Sequence, residues 1–484
     1  METVLDQNGQ NIEKHSEKTP DGLDQTSLRY MLKLAAPTVI TTTSFTIMQF
    51  IDRVMVSRLG TDAFAAILPA GVVSFLPTSF AAGTMTSLNT FVSQSLGRGK
   101  TEDCSKYLWQ MIYVGFLYFI LVLAVMWPTA SWIFKAMGQP NAIIGMEVTY
   151  FRIMLYAHIV AIINYASTQF FIGIHRPVIT LYASLCGQLV NVAANYVLIF
   201  GKFGFPRMEI AGAGWGTFIG IAVAAGINML VFLTGRMNKT FSSRRISKIE
   251  LGKIYDLLKI GLPAGFSLTA NVSFWGIMLL ALVGRFGKEA LAATSAALSY
   301  TSIAVMPIVG IGMALTAAVG KTIGEGRKKL ASRQTRVCLK IALTYIGFVG
   351  ICFLLFPKAL MAFWSSDNKV IQLGVPILIC AAIYQTFHAT RIIYDSSLRG
   401  AGDTVWPAVV SALGATVVLG LGGLFIVKFI SSLGALGPWI AATFSMILVA
   451  LFNRWRFRSK KWMQIDLFKR PAPPVPVTAP PIGQ

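Results

Sequence analysis

The sequence predicts an all-α, polytopic membrane protein: about twelve transmembrane helices in two six-helix lobes, related by a pseudo-two-fold axis along the membrane normal. Three observations carry this prediction. Apolar runs long enough to cross a bilayer recur along the chain, basic residues gather in alternate gaps between them, and the first half repeats in the second.

Of the 484 residues, 55% are hydrophobic and 13% charged, where soluble proteins carry about a quarter charged. A helix needs about 20 residues to span the hydrocarbon. Met111 to Trp127 and Ala211 to Thr234 are clear runs of that kind. Lipid offers the backbone no hydrogen-bond partner, so only helices and closed barrels can cross. Continuous rather than alternating runs exclude the barrel. The predicted spans are 30–56, 63–92, 105–127, 145–173, 177–200, 210–234, 255–283, 290–319, 336–356, 371–397, 405–429 and 435–456.

A net charge of +22 raises the possibility of nucleic acid, but its placement excludes that partner. The Lys and Arg residues sit between spans, chiefly in Arg236 to Lys259, Lys321 to Lys340 and Arg454 to Arg470, with the N-terminus and the loops near Arg98 and Arg176. Roughly 31 of the 42 basic residues fall on one side. The positive-inside rule makes that side cytoplasmic, with both termini inside, in a multi-pass protein of the cell inner membrane. Residues 1–27 lack the apolar core of a signal peptide. The expected organisation is a polar N-terminus (1–28), a first lobe (29–235), a basic linker (236–254), a second lobe (255–458) and a basic, then proline-rich tail (459–484). Phe241 to Leu258 and Ser459 to Phe468 mix basic with apolar residues, the pattern of segments lying on the inner membrane face or of solvated loops. Five scattered cysteines suggest neither disulfides nor a metal site.

The repeat is the strongest organisational feature. Arg58, Gly60, Gly97, Gly99 and Gly173 match Arg285, Gly287, Gly324, Gly326 and Gly400, each pair 227 residues apart; Pro37 and Pro263 are 226 apart. Six spans per unit insert both copies the same way up, leaving a cavity between halves that can rock. That geometry favours transport over a channel.

With "NVAANYVLIFGKFGFPRMEIAGAGWGT" at 191–217, "DRVMVSRLG" from Asp52 to Gly60 and "SLRGAGDT" from Ser397 to Thr404, the chain resembles the multidrug and toxic compound extrusion (MATE) family over residues 28–458. The resemblance implies a pair of six-helix lobes that exports amphipathic, often cationic organic compounds in exchange for protons or sodium ions. It implies no enzyme activity and no cofactor beyond the coupling ion.

Ionisable residues at membrane depth are functional candidates. Asp52 closes span 1, with Gln49, Met48 and Phe45 three, four and seven residues before it. Desolvated in a bundle, its carboxyl can take up and release a proton, or with neutral oxygens it can ligate sodium. Otherwise Asp52 pairs with Arg53 or Arg58 at the outer interface. Gln188, Asn191 and Asn195 form an amide stripe on span 5, able to hold helices together or to join Asp52 and Thr217 in an oxygen-rich site. The family's cation-responsive position resembles Asp52, Asn191, Asn195 and Thr217. Where some members carry a Glu in helix 7 and an Asp in helix 10, the matching residues are Asn271 and His388, which puts a second-lobe cation site in doubt. His388 lies in a stripe with Gln385, Arg391 and Asp395, the last two spaced to neutralise each other. It reads as a hydrogen-bonded core histidine or a proton carrier, and His158 on span 4 is a weaker candidate. Pro37, Pro77, Pro263 and Pro307 predict bends or a hinge.

The function expected is therefore a monomeric secondary exporter of small organic compounds, embedded in the lipid bilayer. A lipid-linked saccharide flippase of the same superfamily is the alternative. A membrane-embedded transferase would need a polar loop rich in His, Asp or Glu, and no loop provides one. A major-facilitator transporter would need a different loop after span 2.

Overall fold

The computed structural model describes residues 24–245, 248–273 and 282–468, with 4–5 and 11–12. The first lobe consists of α1 (Leu28–Ser57), α2 (Thr61–Gly97), α3 (Thr101–Ala136), α4 (Asn141–Gly173), α5 (Pro177–Phe200) and α6 (Glu209–Phe232). A short α7 (Gly235–Phe241) leads to the second lobe: α8 (Leu251–Ser273), α9 (Lys288–Gly324), α10 (Lys328–Leu355), a short α11 (Pro357–Trp364) and α12 (Asn368–Gly400). A helical rod, α13, spans 405–429, and α14 (Leu436–Arg458) closes the lobe. Among the described residues, eleven helices are long and apolar enough to cross a membrane. The remaining expected span, the seventh (255–283), is represented by α8 as far as Ser273; its part at 274–281 lies outside the described residues.

The ends follow ordinary capping chemistry. Ser27 Oγ accepts from Tyr30 N at 3.1 Å to open α1, and Asp367 Oδ1 accepts from Lys369 N at 2.9 Å to open α12. The four prolines expected to bend spans all lie inside continuous helices. A π-helical stretch runs from Gly414 to Leu421 within α13.

The repeat in the sequence is a repeat in packing. A Cβ at Gly173 would meet Val92 Cγ1 at 2.9 Å and Asn89 O at 3.2 Å; at Gly400 it would meet Thr316 O at 2.6 Å and Val319 Cβ at 3.1 Å. Thr316 and Val319 are Asn89 and Val92 displaced by 227. Gly83 presses on Ala264 and Gly265 of α8, and Gly310 presses on Thr38 and Val39 of α1. Here α2 and α9 keep the offset of 227 while α1 and α8 keep 226, the slip already visible between Pro37 and Pro263.

At the basic end the symmetry closes on itself. A Cβ on Gly97 would stand 3.0 Å from Gly324 Cα, and one on Gly324 would stand 3.0 Å from Gly97 Cα. The equivalent glycines of the two lobes touch across the pseudo-axis. Gln94 Nε2 donates to Gly400 O at 2.9 Å and Thr90 Oγ1 to Arg399 O at 2.9 Å beside them. Farther along, Thr38 Oγ1 donates to Gly310 O at 2.8 Å, Thr42 Oγ1 to Met306 O at 2.9 Å and Ser79 Oγ to Thr269 Oγ1 at 3.2 Å. Among the described residues, these hydrogen bonds run from the basic end to about mid-helix.

Within Phe241 to Leu258, α7 ends at Phe241 and α8 begins at Leu251. The segment after Arg458 is not a solvated loop throughout. It folds back on the protein, with Trp462 buried against the second lobe and Leu467 and Phe468 packed on the first. Phe468 meets Phe91 and Tyr107 edge-on, Arg98 lies over its ring at 4.0 Å, and Arg98 pairs with Asp466 at 2.8 Å. The tail thus straps one lobe to the other. Hydrogen bonds from Arg98 and then the Phe468 amide hold the Asp466 carboxyl below its ordinary range. The pair therefore persists through that range and is lost only as pH falls through the lowered value beneath it.

The glycine contact predicts a sharp contrast. Gly97→Ala should destabilise the purified protein by about 1–3 kcal/mol through overpacking. Gly71→Ala, in a helix where the added Cβ meets nothing within 4 Å, should be neutral or slightly stabilising. Melting temperatures of the two variants check this.

Candidate functional site

The candidate site lies in the first lobe, where α1 meets the pair α5 and α6. Gly201, in the left-handed conformation at φ 65°, ends α5 and turns the chain toward α6. Gly212, Gly216 and Gly220 follow at four-residue intervals and present one face to α5. A Cβ at Gly212 would stand 2.7 Å from Ile199 N; one at Gly220 would stand 2.5 Å from Asn191 Cβ. At Gly216 it would collide with Asn195 Oδ1. Gly187 of α5 leaves space in return, its missing Cβ facing Gly220 O at 2.6 Å. Small residues at such spacing let transmembrane backbones approach closely, and the approach buries Asn191 and Asn195.

Those amides form a hydrogen-bonded chain in which Asn195 Nδ2 is shared between Asn191 and Asp52. Thr217 Oγ1 donates to Ala213 O at 2.9 Å, so its hydroxyl accepts from Asn191 Nδ2 at 3.5 Å. Asn191 Oδ1 accepts from Asn195 Nδ2 at 3.4 Å, and Asn195 Nδ2 donates to Asp52 Oδ1 at 2.7 Å. The last bond is the shortest, as expected for a charged acceptor. Asp52 makes no ion pair among the described residues, so the pairing with Arg53 or Arg58 does not form. Asn195 Oδ1 is buried without a partner.

Four of the six first-lobe candidates therefore come together: Asp52, Asn191, Asn195 and Thr217. Gln49 is exposed, as is Phe45, while Met48 is buried. Gln188 is half-buried, and neither glutamine joins the hydrogen-bonded chain.

Among the described residues the second lobe assembles no counterpart. Asn271 is half-buried on α8. Gln385 is buried and spends its amide on Thr301 O at 2.7 Å. His388 is not the hydrogen-bonded core histidine expected: its ring packs beside Tyr384 at 5.2 Å and its Nδ1 is buried without a partner. Arg391 and Asp395 do not neutralise each other. Asp395 pairs with Arg399 at 3.0 Å, and Arg391 donates to Ser411 Oγ at 3.2 Å. An acid four residues before a base is the better helical arrangement, which favours Asp395 with Arg399 over the reverse order. His158 Nδ1 shares a 3.1 Å hydrogen bond with Thr78 Oγ1.

One residue escaped the sequence reading. Glu147, near the start of α4, is 0% exposed, and both carboxyl oxygens lack a partner. Its position at the edge of the predicted span 145–173 made it look like a boundary residue. Its spacing of eleven from His158, three helical turns, was the available signal.

The MatE family model matches residues 37–197 and 263–423, once in each lobe and displaced by the 226 residues that separate Pro37 from Pro263. The chain belongs to the MatE family. This MatE chain is 28% identical over 455 residues to "Probable multidrug resistance protein NorM" of Mesorhizobium japonicum, covering 92% of this chain and 96% of the relative. It is 27% identical over 446 residues to the protein of that name from Bacillus subtilis, covering 90% and 97%. Among solved structures, it is similar to an outward-facing multidrug resistance MATE family transporter of the MOP superfamily, with TM-score 0.82, 19% identity, and 90% and 98% coverage. A MOP superfamily transporter from Pyrococcus furiosus gives TM-score 0.83 at 18% identity, with 93% and 100% coverage. The structural likenesses show that the MatE chain has the fold of these proteins.

The glycine face predicts that Gly216→Ala will displace Asn195 and break the chain to Asp52. The variant should insert in the membrane and lose most of its transport, whereas Gly226→Ala, with nothing within 4 Å, should transport normally. Efflux normalised to membrane-inserted protein measures both.

Proposed function

We propose that this MatE chain exports small organic compounds, often cationic or amphipathic, from bacterial cells in exchange for a proton or sodium ion bound at Asp52. Membership of the family and likeness to relatives named for multidrug resistance support the substrate class. The observation that carries the mechanism is the chain from Thr217 through Asn191 and Asn195 to Asp52, in which the Asn195 amide donates to the one carboxylate.

A negative charge on Asp52 draws Asn195 to it and ties α1 to α5. A proton removes that charge and weakens the tie. A sodium ion, a hard cation that favours oxygen, would take Asp52 with the unpartnered Oδ1 of Asn195 and the Thr217 hydroxyl. Either ion changes what holds α1, which also packs on α9 of the other lobe through Thr38 and Thr42. Ion binding in one lobe thereby bears on the seam between lobes, the requirement for alternating access. The basic ends of the helices face the cytoplasm in this reading, with both termini inside and the chain acting as a monomer.

The flippase reading is weaker, because relatives of nearly equal length carry the multidrug name. Nothing in the arrangement calls for catalytic chemistry or a cofactor.

Efflux from proteoliposomes under separate pH and sodium gradients tests the proposal. Wild type should be driven by at least one gradient, and Asp52→Asn should lose roughly tenfold or more of that driven rate, the scale of typical coupling energies. Undiminished gradient-driven efflux in Asp52→Asn would remove Asp52 as the coupling site.

A further inference from the structure

Glu147 takes no part in the chain that ends at Asp52, yet its surroundings are unusual for a carboxylate. It belongs to a buried polar stripe on α4 with His158 and Gln169, each eleven residues from the next and 0%, 3% and 6% exposed. Eleven residues make three turns at 3.67 per turn, so the three lie on one face. The inner two have partners on α2: His158 with Thr78 at 3.1 Å and Gln169 with Asn89 at 3.3 Å. Both pairs are 80 residues apart, which fixes α2 and α4 in parallel register.

The same register places Ile67 opposite Glu147, flanked by Ala63, Ala66 and Ala70. That stretch of α2 belongs to the apolar cluster that also holds Ile143, Ile144, Val148 and Phe151 around Glu147 on α4. The polar stripe therefore meets polar partners at two rungs and an apolar wall at the third. Charged residues on the elements packed against this end of α4 are Asp62 of α2, Lys135 of α3 and Glu209 of α6. Among the described residues none pairs with Glu147. Within α4, Arg152 lies over the Trp127 ring at 4.9 Å, Tyr150 is buried in the same apolar cluster and lies near enough to Asp52 of α1 to feel its charge, and His158 packs on Tyr118 at 5.7 Å.

We propose that Glu147 is a second proton-binding site in the first lobe, occupied by a proton in this conformation. An ionised carboxylate there would have neither water nor a donor, a combination proteins avoid. The neutral acid is the form the wall of Ile67 and alanines accommodates. A metal cation does not fit, because it needs several oxygens and the neighbours supply none. The acid exchanges its proton when rearrangement of α2 against α4 admits water, so the site reports on that movement. The proposal concerns protonation alone and stands apart from the coupling role assigned to Asp52.

Infrared spectra of the full chain in lipid, taken in an Asp52→Asn background, isolate this group. Removing Glu147 as well (Glu147→Gln) should abolish a carboxylic-acid C=O band that is present at neutral pH and bleaches at alkaline pH. Identical spectra with and without Glu147 at every pH would overturn the proposal. Melting temperature against pH gives an independent reading, with Glu147→Met as a second variant should Glu147→Gln insert poorly. A site that retains its proton on folding makes wild type lose stability relative to either variant as pH rises above the ordinary carboxylate range. Parallel curves would overturn the proposal too, since a merely structural role shifts stability equally at all pH values.

Discussion

Gly97 and Gly324 touch where the two lobes meet, and the remaining architecture is built out from that contact. Within lipid there is no hydrophobic force to bring helices together, so association depends on close packing and on hydrogen bonds between helices. Two glycines in register let the ends of α2 and α9 approach as no other pair of residues would allow. The approach brings Gln94 and Thr90 within reach of the carbonyls that end α12. The strap after Arg458 then crosses the same end and fastens to Arg98.

A single helix connects this seam to the candidate site. Near its start α1 gives Thr38 and Thr42 to carbonyls of α9; near its finish it gives Asp52 to Asn195 of α5. The threonines belong to the contact between lobes, and the aspartate belongs to the interior of one lobe. Such a helix is stationed to convert a change in charge at Asp52 into a change in how the lobes sit. At the repeat spacing of 226 residues the second copy has Met278 in the place of Asp52. Scaffold is shared by both halves, but the candidate ion chemistry is not.

Much of this was legible in the sequence. The repeat could be read because glycine answers two demands that recur in both copies, close packing at Gly97 and Gly173 and a positive φ at Gly60 and Gly99. Asp52, Asn191 and Asn195 stood out because polar residues among apolar ones carry a high cost at membrane depth. What the sequence hid was mostly tertiary. Asp395 has a base four residues away on either side, and only the order of charges along the helix distinguishes Arg399 from Arg391. The segment from Ser459 to Phe468 has the composition of a surface strip, and its burial depends on Phe91 and Tyr107, hundreds of residues distant. Gln49 shares a helix face with Asp52 by spacing yet is exposed, and nothing in the composition around Glu147 announced its burial.

The central claim is that the state of Asp52 governs how the lobes sit about the glycine seam. Spin labels at Lys135→Cys in the first lobe and Lys358→Cys in the second, both exposed near the ends away from that seam, report the separation by double electron–electron resonance once the native cysteines are replaced. In wild type the distance distribution should shift when the coupling ion, proton or sodium, is added, and in Asp52→Asn it should stay in one state. An ion-dependent shift in Asp52→Asn equal to that of wild type would contradict the account.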